Sequence, residues 1–313
     1  MTRIFYIALT INMSITDPSP NLQNIADTYS PSIMFHPQET FYPIDIKTYL
    51  KQCNGIIPNQ QEAPLTQNMI DDFTWIDTIR KENNTGSRND AYSFDMTDDT
   101  YHTIHGDPEF GPIYSKVTVS DTQYDILYVA FFGRVEPYQI CNCCCTTTTV
   151  ICPSCSCYSS VNGHTADVKH IRVIVDRSSS KIVKCYYGAH GVQGGEWRSS
   201  DNVIEDSSRL GHHPVIYSVK HDHSFYPDSG FHLRIFGIIW DTTSGKGSKF
   251  IPYVHLIYDP KAPKYDPKIH GWIGWIGSLS QDGISAPYIQ PFWTSDPDVS
   301  NSPLKRFFCS AWW

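Results

Sequence analysis

The sequence predicts an all-β protein, a β-sandwich of two largely antiparallel sheets with a few short peripheral helices. Of the 313 residues, 40% are hydrophobic and 13% aromatic, and tyrosine, phenylalanine and tryptophan favour the half-buried surface of a strand. The 21 Pro and 19 Gly interrupt the chain throughout, which disfavours long helices. Because all-β folds often exceed roughly 200 residues as one unit, we predict a single domain over residues 1–313.

Strand patterns follow one another through the later part of the chain. Strands are predicted over residues 115–120, 124–132, 169–175, 182–187, 214–219, 231–239 and 250–258. The near-continuous apolar run at 124–132 is typical of a central strand. In the 169–175 segment, Ile171, Val173 and Val175 share one face. Since no helical pattern separates these strands, they predict a sandwich.

The earlier part of the chain predicts the few helices. Residues 43–53 and 65–81 carry apolar residues at helical spacing, which core packing explains. Residues 3–11 form a short apolar run without a convincing small-residue cleavage site, and we predict an uncleaved first strand there instead of a signal peptide. No apolar stretch of about 18 residues occurs, so we expect a soluble chain without a spanning helix. The compartment is left open.

The charge balance argues against a nucleic-acid-binding protein. Lysine and arginine total 24 against 32 aspartate and glutamate residues, a formal net charge of −8. Phosphate neutralisation requires a basic face, and no dense run of lysine or arginine occurs. We therefore expect no nucleic acid among the partners.

Seven of the ten cysteines fall in a Cys-rich loop at residues 141–157. Cys152 and Cys155 have the two-residue spacing of zinc ligands. Alternatively, disulfides staple the loop, within the chain or between copies of it, or the loop is exposed and its thiols are reduced. The adjacent Cys143, Cys144 and Cys145 make poor simultaneous zinc ligands, which favours disulfides. Cys53, Cys185 and Cys309 are predicted to be ordinary buried residues.

Histidine, aspartate and tyrosine residues cluster at predicted strand ends, and here the chain resembles the vacuolar protein sorting 62 family. The segments that carry the resemblance are Tyr29-Ser30-Pro31, Phe35-His36-Pro37, Glu39, His164 with Asp167, His190-Gly191, Pro214 to Pro227, Asp241 to Gly245 and Trp272 to Gly277. Two residues depart from the family's central motif, Val168 for its Trp and Lys169 for its Glu. The Cys-rich loop looks like an insertion.

The resemblance implies a β-sandwich with one pocket at strand ends that binds a ligand. The ligand-binding residues that it indicates are His164, Asp167, His190, His223, Tyr226 and Asp241. We predict that Asp167, His190 and His223 lie together, with the two histidines accessible as ligands or bases. Trp272, Trp275 and Trp293 are predicted either to stack on sugars or, more commonly for such aromatics, to pack in the core.

Residues 163–169 also resemble the heptad of the necrosis- and ethylene-inducing-like proteins, β-sandwich cytolysins that bind a divalent cation and membrane sphingolipid headgroups. Hard cations need several anionic oxygens, and Lys169 puts a cation where that heptad has a glutamate. Period-two alternation places Lys169 and Asp167 on the same face of a strand. We therefore expect the Lys169 ammonium to neutralise Asp167, and we expect no cofactor, because Lys169 disfavours a divalent cation.

The sequence is compatible with three functions. The first is a non-catalytic module that binds membrane headgroups or glycans. The second is a hydrolase that uses His164, Asp167, His190 and His223. The third is a structural particle or crystal-forming protein whose copies are cross-linked through the Cys-rich loop. No nucleophile elbow, phosphate-binding loop, zincin helix or dinucleotide fingerprint occurs in the sequence, and we therefore favour the binding module.

Overall fold

A computed structural model describes most of the chain. The described residues are 20–56, 62–83, 89, 92–96, 104–136, 138–141, 158–161, 163–189, 195–220, 222–234, 239–280 and 284–294. The predicted strand at residues 3–11, Cys309 and the predicted zinc ligands Cys152 and Cys155 lie outside them.

The helices are short and the strands dominate. The helices are α1 (Leu22–Thr28), α2 (Ile46–Leu50), α3 (Gln67–Asp71), α4 (Thr74–Asn83) and α5 (Pro267–His270), with 3-10 turns at Ser200–Asn202, Gly271–Gly274, Pro287–Ile289 and Pro291–Trp293. The strands are β1 (Ser32–Met34), β2 (Cys53–Ile56), β3 (Ala63–Pro64), β4 (Ser93–Met96), β5 (Pro112–Val119), β6 (Gln123–Val135), β7 (Tyr138–Cys141), β8 (Tyr158–Val161), β9 (His164–Asp176), β10 (Ile182–Tyr187), β11 (Glu196–Ser199), β12 (Val215–Ser218), β13 (Phe225–Tyr226), β14 (Gly230–Arg234), β15 (Ile239–Thr243), β16 (Lys249–Phe250) and β17 (Tyr253–Leu256).

Two sheets form the sandwich, which confirms the predicted fold class. A six-stranded sheet has the order β11-β10-β9-β6-β5-β17, and a four-stranded sheet has the order β13-β12-β1-β16. Most neighbouring strands are antiparallel; β17 with β5 and β1 with β12 are parallel pairs. Among the described residues, β7 pairs with β8 and β14 with β15 as two-stranded ribbons, and β2, β3 and β4 form a small sheet.

Strand β6 lies at the centre of the fold and is buried on both faces. Ile126, Tyr128 and Phe132 point toward the four-stranded sheet, where they join a core that includes Ile33 and Phe225. The alternate residues of β6, including Leu127 and Phe131, join a second core under the helices and the 272–293 segment. Double burial explains why the 124–132 segment is a continuous apolar run.

The parallel pairing of β1 with β12 determines where the candidate site lies. Ser32 is opposite Val215 and Met34 is opposite Tyr217. Parallel neighbours end at the same edge of a sheet, so the loops that follow β1 and β12 leave from one place. These two loops carry Glu39 and His223, each five residues after the last residue of its strand.

Two predicted strands are wrong in their extent. The single strand predicted at 231–239 is divided into β14 and β15, which pair antiparallel with each other. The strand predicted at 250–258 is divided between the two sheets as β16 and β17. Pro252 lies between them, and a proline cannot donate to a strand ladder.

The other predicted strands are present with small shifts of their bounds. The predicted helix at 43–53 is shortened to α2, which Asp45 caps by accepting hydrogen bonds from the amides of Lys47 and Thr48. The predicted helix at 65–81 is divided into α3 and α4. No helix in the described residues is long and apolar enough to cross a membrane.

Candidate functional site

The first half of the site lies on β9. Asp167 is paired with Phe132 and Lys169 with Ala130, and both side chains face the four-stranded sheet together with Ile171. Lys169 Nζ lies 3.1 Å from Asp167 Oδ2, and their side chains are 13% and 7% exposed. The structure therefore confirms the expected pairing of this ammonium with this carboxylate.

The second half of the site comes from the loops after β1 and β12. His223 is fully buried, and its ring lies between two carboxylates. Nδ1 lies 3.7 Å from Asp167 Oδ2, and Nε2 lies 3.6 Å from Glu39 Oε1. Both distances exceed a normal hydrogen bond, so these contacts are ion pairs. We call Glu39, Asp167, Lys169 and His223 the buried charge cluster.

Local backbone contacts position the two loop residues. Glu39 Oε1 accepts hydrogen bonds from the amides of Thr40 and Phe41, both 2.9 Å long, which orient the carboxylate within its own turn. The amide of His223 donates to the carbonyl of Val219 over 3.2 Å, which closes the loop after β12. The Glu39 carboxylate is thus held by its own turn, and the backbone from which the His223 ring extends is fixed by its own loop.

Phe132 covers one face of the His223 ring. The two ring centroids are 3.9 Å apart and the planes are inclined by 1°, which is a stacked contact. Because Phe132 belongs to the core of the sandwich, the imidazole forms part of that core. The stacking also favours a protonated ring, since an aromatic face attracts a cation.

Two residues of the site have left-handed backbone conformations. Ala166, next to Asp167, has φ of 54°, and His223 has φ of 59°. Non-glycine residues occupy this region at an energetic cost of about 1–3 kcal/mol, and such residues concentrate at functional or strongly constrained positions. The surrounding packing therefore holds both residues in conformations that a free chain avoids.

The charges in the cluster compensate one another. Burial alone would lower the pKa of His223, but the carboxylates of Glu39 and Asp167 outweigh burial and raise it to about 9. Burial would raise the pKa of Asp167, but the Lys169 ammonium, aided by His223 and His164, lowers it below its usual value. At neutral pH an imidazolium and an ammonium thus balance the two carboxylates.

The expectation that no divalent cation binds at Asp167 stays a prediction, which the charges around this carboxylate support. Lys169 Nζ and His223 Nδ1 both lie against Asp167 Oδ2, and Asp167 Oδ1 accepts a hydrogen bond from the amide of Val168. A cation ligand must be deprotonated, and a histidine held as imidazolium is not. Within the described residues no group of three or more histidine, cysteine, aspartate or glutamate side chains has the geometry to hold a metal.

Tyr226 and Asp241 form a second polar contact. The Tyr226 hydroxyl donates a 2.7 Å hydrogen bond to Asp241 Oδ2, and Asp241 is 1% exposed. The Tyr226 ring stacks on His232 with centroids 3.8 Å apart. His232 Nε2 in turn lies 3.0 Å from the hydroxyl of Thr243. These contacts join β13 to the β14–β15 hairpin.

The predicted site residues have different outcomes. Asp167 and His223 lie together as predicted, whereas His190 lies outside the described residues. His164 is half-buried at the start of β9, with Nδ1 2.8 Å from the carbonyl oxygen of Ala166. The prediction that His223 is accessible is wrong: a loop histidine was expected to face solvent, but the two sheets and Phe132 enclose it.

Glu39 is the site residue that sequence reasoning did not identify. It was part of the N-terminal segment that carries the resemblance, but it lies 184 residues before His223 in the chain. The one feature of the sequence that could have indicated Glu39 is its position in a loop that follows an apolar strand. Only the parallel pairing of β1 with β12 brings that loop to the site.

Comparisons with known proteins place the chain in a family. The family model described as "Vacuolar protein sorting-associated protein 62" matches residues 8–243, most of the chain. No curated protein matches.

The solved structures that match this chain at low sequence identity include proteins of the necrosis- and ethylene-inducing group. "NLPPya in complex with glucosamine" has 12% identity and a TM-score of 0.35, covering 77% of this chain and 75% of that one. "NLPPya in complex with mannosamine" has 13% identity and a TM-score of 0.34, covering 77% and 76%. Necrosis and Ethylene inducing Protein 2 from the causal agent of cocoa's Witches Broom disease has 12% identity and a TM-score of 0.31, covering 94% and 92%.

Proposed function

Because the chain belongs to the vacuolar protein sorting-associated protein 62 family, we propose that it is a non-catalytic module that binds glycans or membrane headgroups. The family's description names an association with vacuolar protein sorting. In this proposal the buried charge cluster has a structural role, and the ligand is recognised at the surface that the cluster supports.

The burial of His223 is the observation that carries this proposal. A general base must reach the proton that it removes, within about 3 Å or through one water molecule. The His223 side chain is 0% exposed, with Phe132 on one face and carboxylates at both ring nitrogens. This arrangement supports a structural role and argues against the alternative hydrolase.

The charge state of His223 points in the same direction. A base must be unprotonated at the working pH, and the pKa of His223 is raised to about 9. At pH 7 a group with this pKa is protonated in about 99% of molecules. The ring is therefore suited to pair with Glu39 and Asp167 and is poorly suited to accept a proton.

The cluster links segments that are distant in the chain. Glu39 follows β1, Asp167 and Lys169 lie on β9, and His223 follows β12, so the ion pairs tie the two sheets together at one edge. Dispersed histidine and aspartate residues would have favoured the third function, a cross-linked structural particle. Asp167 and His223 converge, which argues against that alternative, but they do so inside the protein and not in an open pocket, so the convergence alone does not select the binding module.

The experiment that tests the proposal measures binding and turnover on the same protein. The purified chain is applied to an array of neutral and anionic glycans and to vesicles of phosphatidylcholine, alone and with phosphatidylserine or glucosylceramide. It is also incubated with chromogenic esters, phosphates and glycosides. We expect saturable binding to at least one glycan or vesicle and no turnover.

Two outcomes would overturn the proposal. Turnover that disappears in both the Asp167→Asn and the His223→Gln variants would establish the hydrolase instead. A complete lack of binding to every glycan and vesicle would remove the binding function. Circular dichroism of each variant shows whether it is folded, so that lost turnover is not confused with lost structure.

A further inference from the structure

A cavity of about 400 Å³ opens on the surface beside the segment that carries Glu39. Residues 43–52, which include α2, form one wall, and residues 104–112 form the other. None of the residues predicted as ligand-binding from the sequence lines it. Its volume lies within the range of small-molecule sites, about 300–1,000 Å³.

The walls of this cavity are fastened to each other through their backbones. The amide of Tyr42 donates to the carbonyl of His105 over 2.7 Å, and the amide of Asp107 donates to the carbonyl of Pro43 over 3.3 Å. Gly106 has φ of 71°, and a methyl group there would overlap the carbonyl of Tyr42. This close approach requires glycine and makes the cavity a preformed feature of the fold.

Hydrogen-bonding groups line the cavity. Asp107 Oδ1 accepts from the amides of Glu109 and Phe110, which leaves its other oxygen without a hydrogen bond to the described residues. His105 Nδ1 lies 3.2 Å from the carbonyl oxygen of Thr40, so a neutral ring keeps Nε2 as an acceptor. Asp45 also lines the cavity, but its oxygens already accept from the amides of Lys47 and Thr48 and from the Tyr114 hydroxyl; Thr48 is exposed beside it.

Phe110 adds an apolar platform at the rim. Its side chain is 74% exposed, so the ring is available for a ligand to stack on it. It is also the single aromatic residue other than histidine among those that line the cavity. Recognition of a quaternary ammonium generally uses a cage of several aromatic rings, which one phenylalanine does not provide.

The charge of the lining excludes anionic ligands. Asp45 and Asp107 carry the formal charges of the described lining, which includes no lysine or arginine. A phosphate or sulfate would be repelled by both carboxylates. Carboxylates and an imidazole acceptor instead suit a ligand that offers several hydroxyl donors.

We propose that this cavity binds a neutral pyranose, with Phe110 stacked against the apolar face of the sugar ring and Asp107, His105 and Thr48 hydrogen-bonded to its hydroxyls. The inference rests on the proposed binding function and assigns it a site and a ligand class. The hydroxyl pattern of a sugar matches an acceptor-rich lining, and its C–H face matches a single exposed aromatic ring.

Titration with defined sugars and a matched pair of phenylalanine variants tests the site. Cellobiose, chitobiose, mannobiose and lactose are used as probes in saturation-transfer NMR and calorimetry, with choline chloride and inorganic phosphate as competing classes. Phe110→Ala removes the platform, whereas Phe231→Ala removes an equally exposed phenylalanine (78%) on β14. We expect at least one disaccharide to bind the parent and Phe231→Ala equally and Phe110→Ala at least tenfold more weakly.

Asp107→Asn provides a second test that does not remove the platform. Asparagine retains an acceptor for the amides of Glu109 and Phe110, so the turn is kept and the charge alone is lost. We expect severalfold weaker disaccharide binding. Melting curves establish that each variant is folded, and because Phe110 and Asp107 are exposed, we expect little change in stability.

The outcomes separate this inference from the proposed function. Disaccharide binding that is unchanged in both Phe110→Ala and Asp107→Asn would overturn the site and leave the binding function standing. Vesicle binding without any saccharide binding would likewise overturn the site alone. Phe110-dependent binding of choline or phosphate would overturn the ligand class, and no binding of any kind would overturn both proposals.

Discussion

Replacing Lys169 by glutamate would place a third carboxylate beside Glu39 and Asp167. In the parent protein two positive groups balance two carboxylates in a nearly closed space. The substitution would leave the His223 imidazolium as the one positive member of the cluster. We expect the Lys169→Glu variant to be destabilised and to recover stability when calcium is added, a response that the parent lacks.

The size of the effect follows from the burial of the pair. Lys169 and Asp167 are 13% and 7% exposed and lie 3.1 Å apart. Removing one partner of a buried ion pair costs about 3–5 kcal/mol. A cation that binds the variant at about 100 times its dissociation constant returns roughly 2.7 kcal/mol by mass action. For a chain of 313 residues, an unfolding entropy of about 2.1 cal/mol/K per residue corresponds to roughly 1.5 °C per kcal/mol, so calcium should raise the melting temperature of the variant by roughly 4 °C.

Thermal melting with and without calcium, together with two control variants, provides the assay. Lys169→Met removes the ammonium without adding a carboxylate, so it should be destabilised and should not respond to calcium. Lys264→Glu makes the same change of net charge at an exposed position and should match the parent. An equal calcium response in the parent and in Lys169→Glu would show that the parent already binds the cation. No response in either protein would show that adding a carboxylate at position 169 does not turn the buried charge cluster into a cation site.

Three further perturbations probe the same contacts. The pKa of His223 is raised from 6.5 to about 9 in the folded state, so its protonation contributes about 3 kcal/mol to the free energy of unfolding. This contribution is fully present below pH 6.5 and is lost as pH rises through 9. Urea unfolding from pH 6 to 10 should show the loss in the parent and not in His223→Gln. Phe132→Ala removes the ring stacked on His223 and should lower the free energy of unfolding by about 3–5 kcal/mol, which chemical denaturation measures and a loss below about 1 kcal/mol would contradict. Tyr226→Phe removes the hydrogen bond to buried Asp241 and should cost about 1–3 kcal/mol in the same measurement, whereas an unchanged midpoint would indicate that another group replaces the hydroxyl.

Local pattern sufficed for the fold class and for the pair on β9. Alternation with period two placed Asp167 and Lys169 on one face, and the structure confirms it because residues 167–169 pair continuously with residues 130–132 of β6. The extent of other strands depended on single interrupting residues. Pro252 divides one apolar run between two sheets, and the pattern of hydrophobic residues alone does not reveal this division.

The sequence alone does not predict every member of the buried charge cluster. Glu39 reaches His223 through the parallel pairing of β1 with β12, and no local pattern specifies which strands become neighbours. The burial of His223 follows from the stacking of Phe132 and the closure of two sheets, which are also tertiary events. The cavity at Phe110 likewise arises from two segments about 60 residues apart that share few sequence features.

The protonation state of His223 is the sharpest test of the structural role of the buried charge cluster. Nitrogen-15 NMR of the imidazole distinguishes a ring with protons on both nitrogens from a neutral tautomer, and His223→Gln identifies the resonance. We expect an imidazolium at pH 7 that loses its proton near pH 9, because the ring is buried between Glu39 and Asp167. A neutral ring at pH 7 would contradict the structural role of the cluster and would return His223 to consideration as a general base.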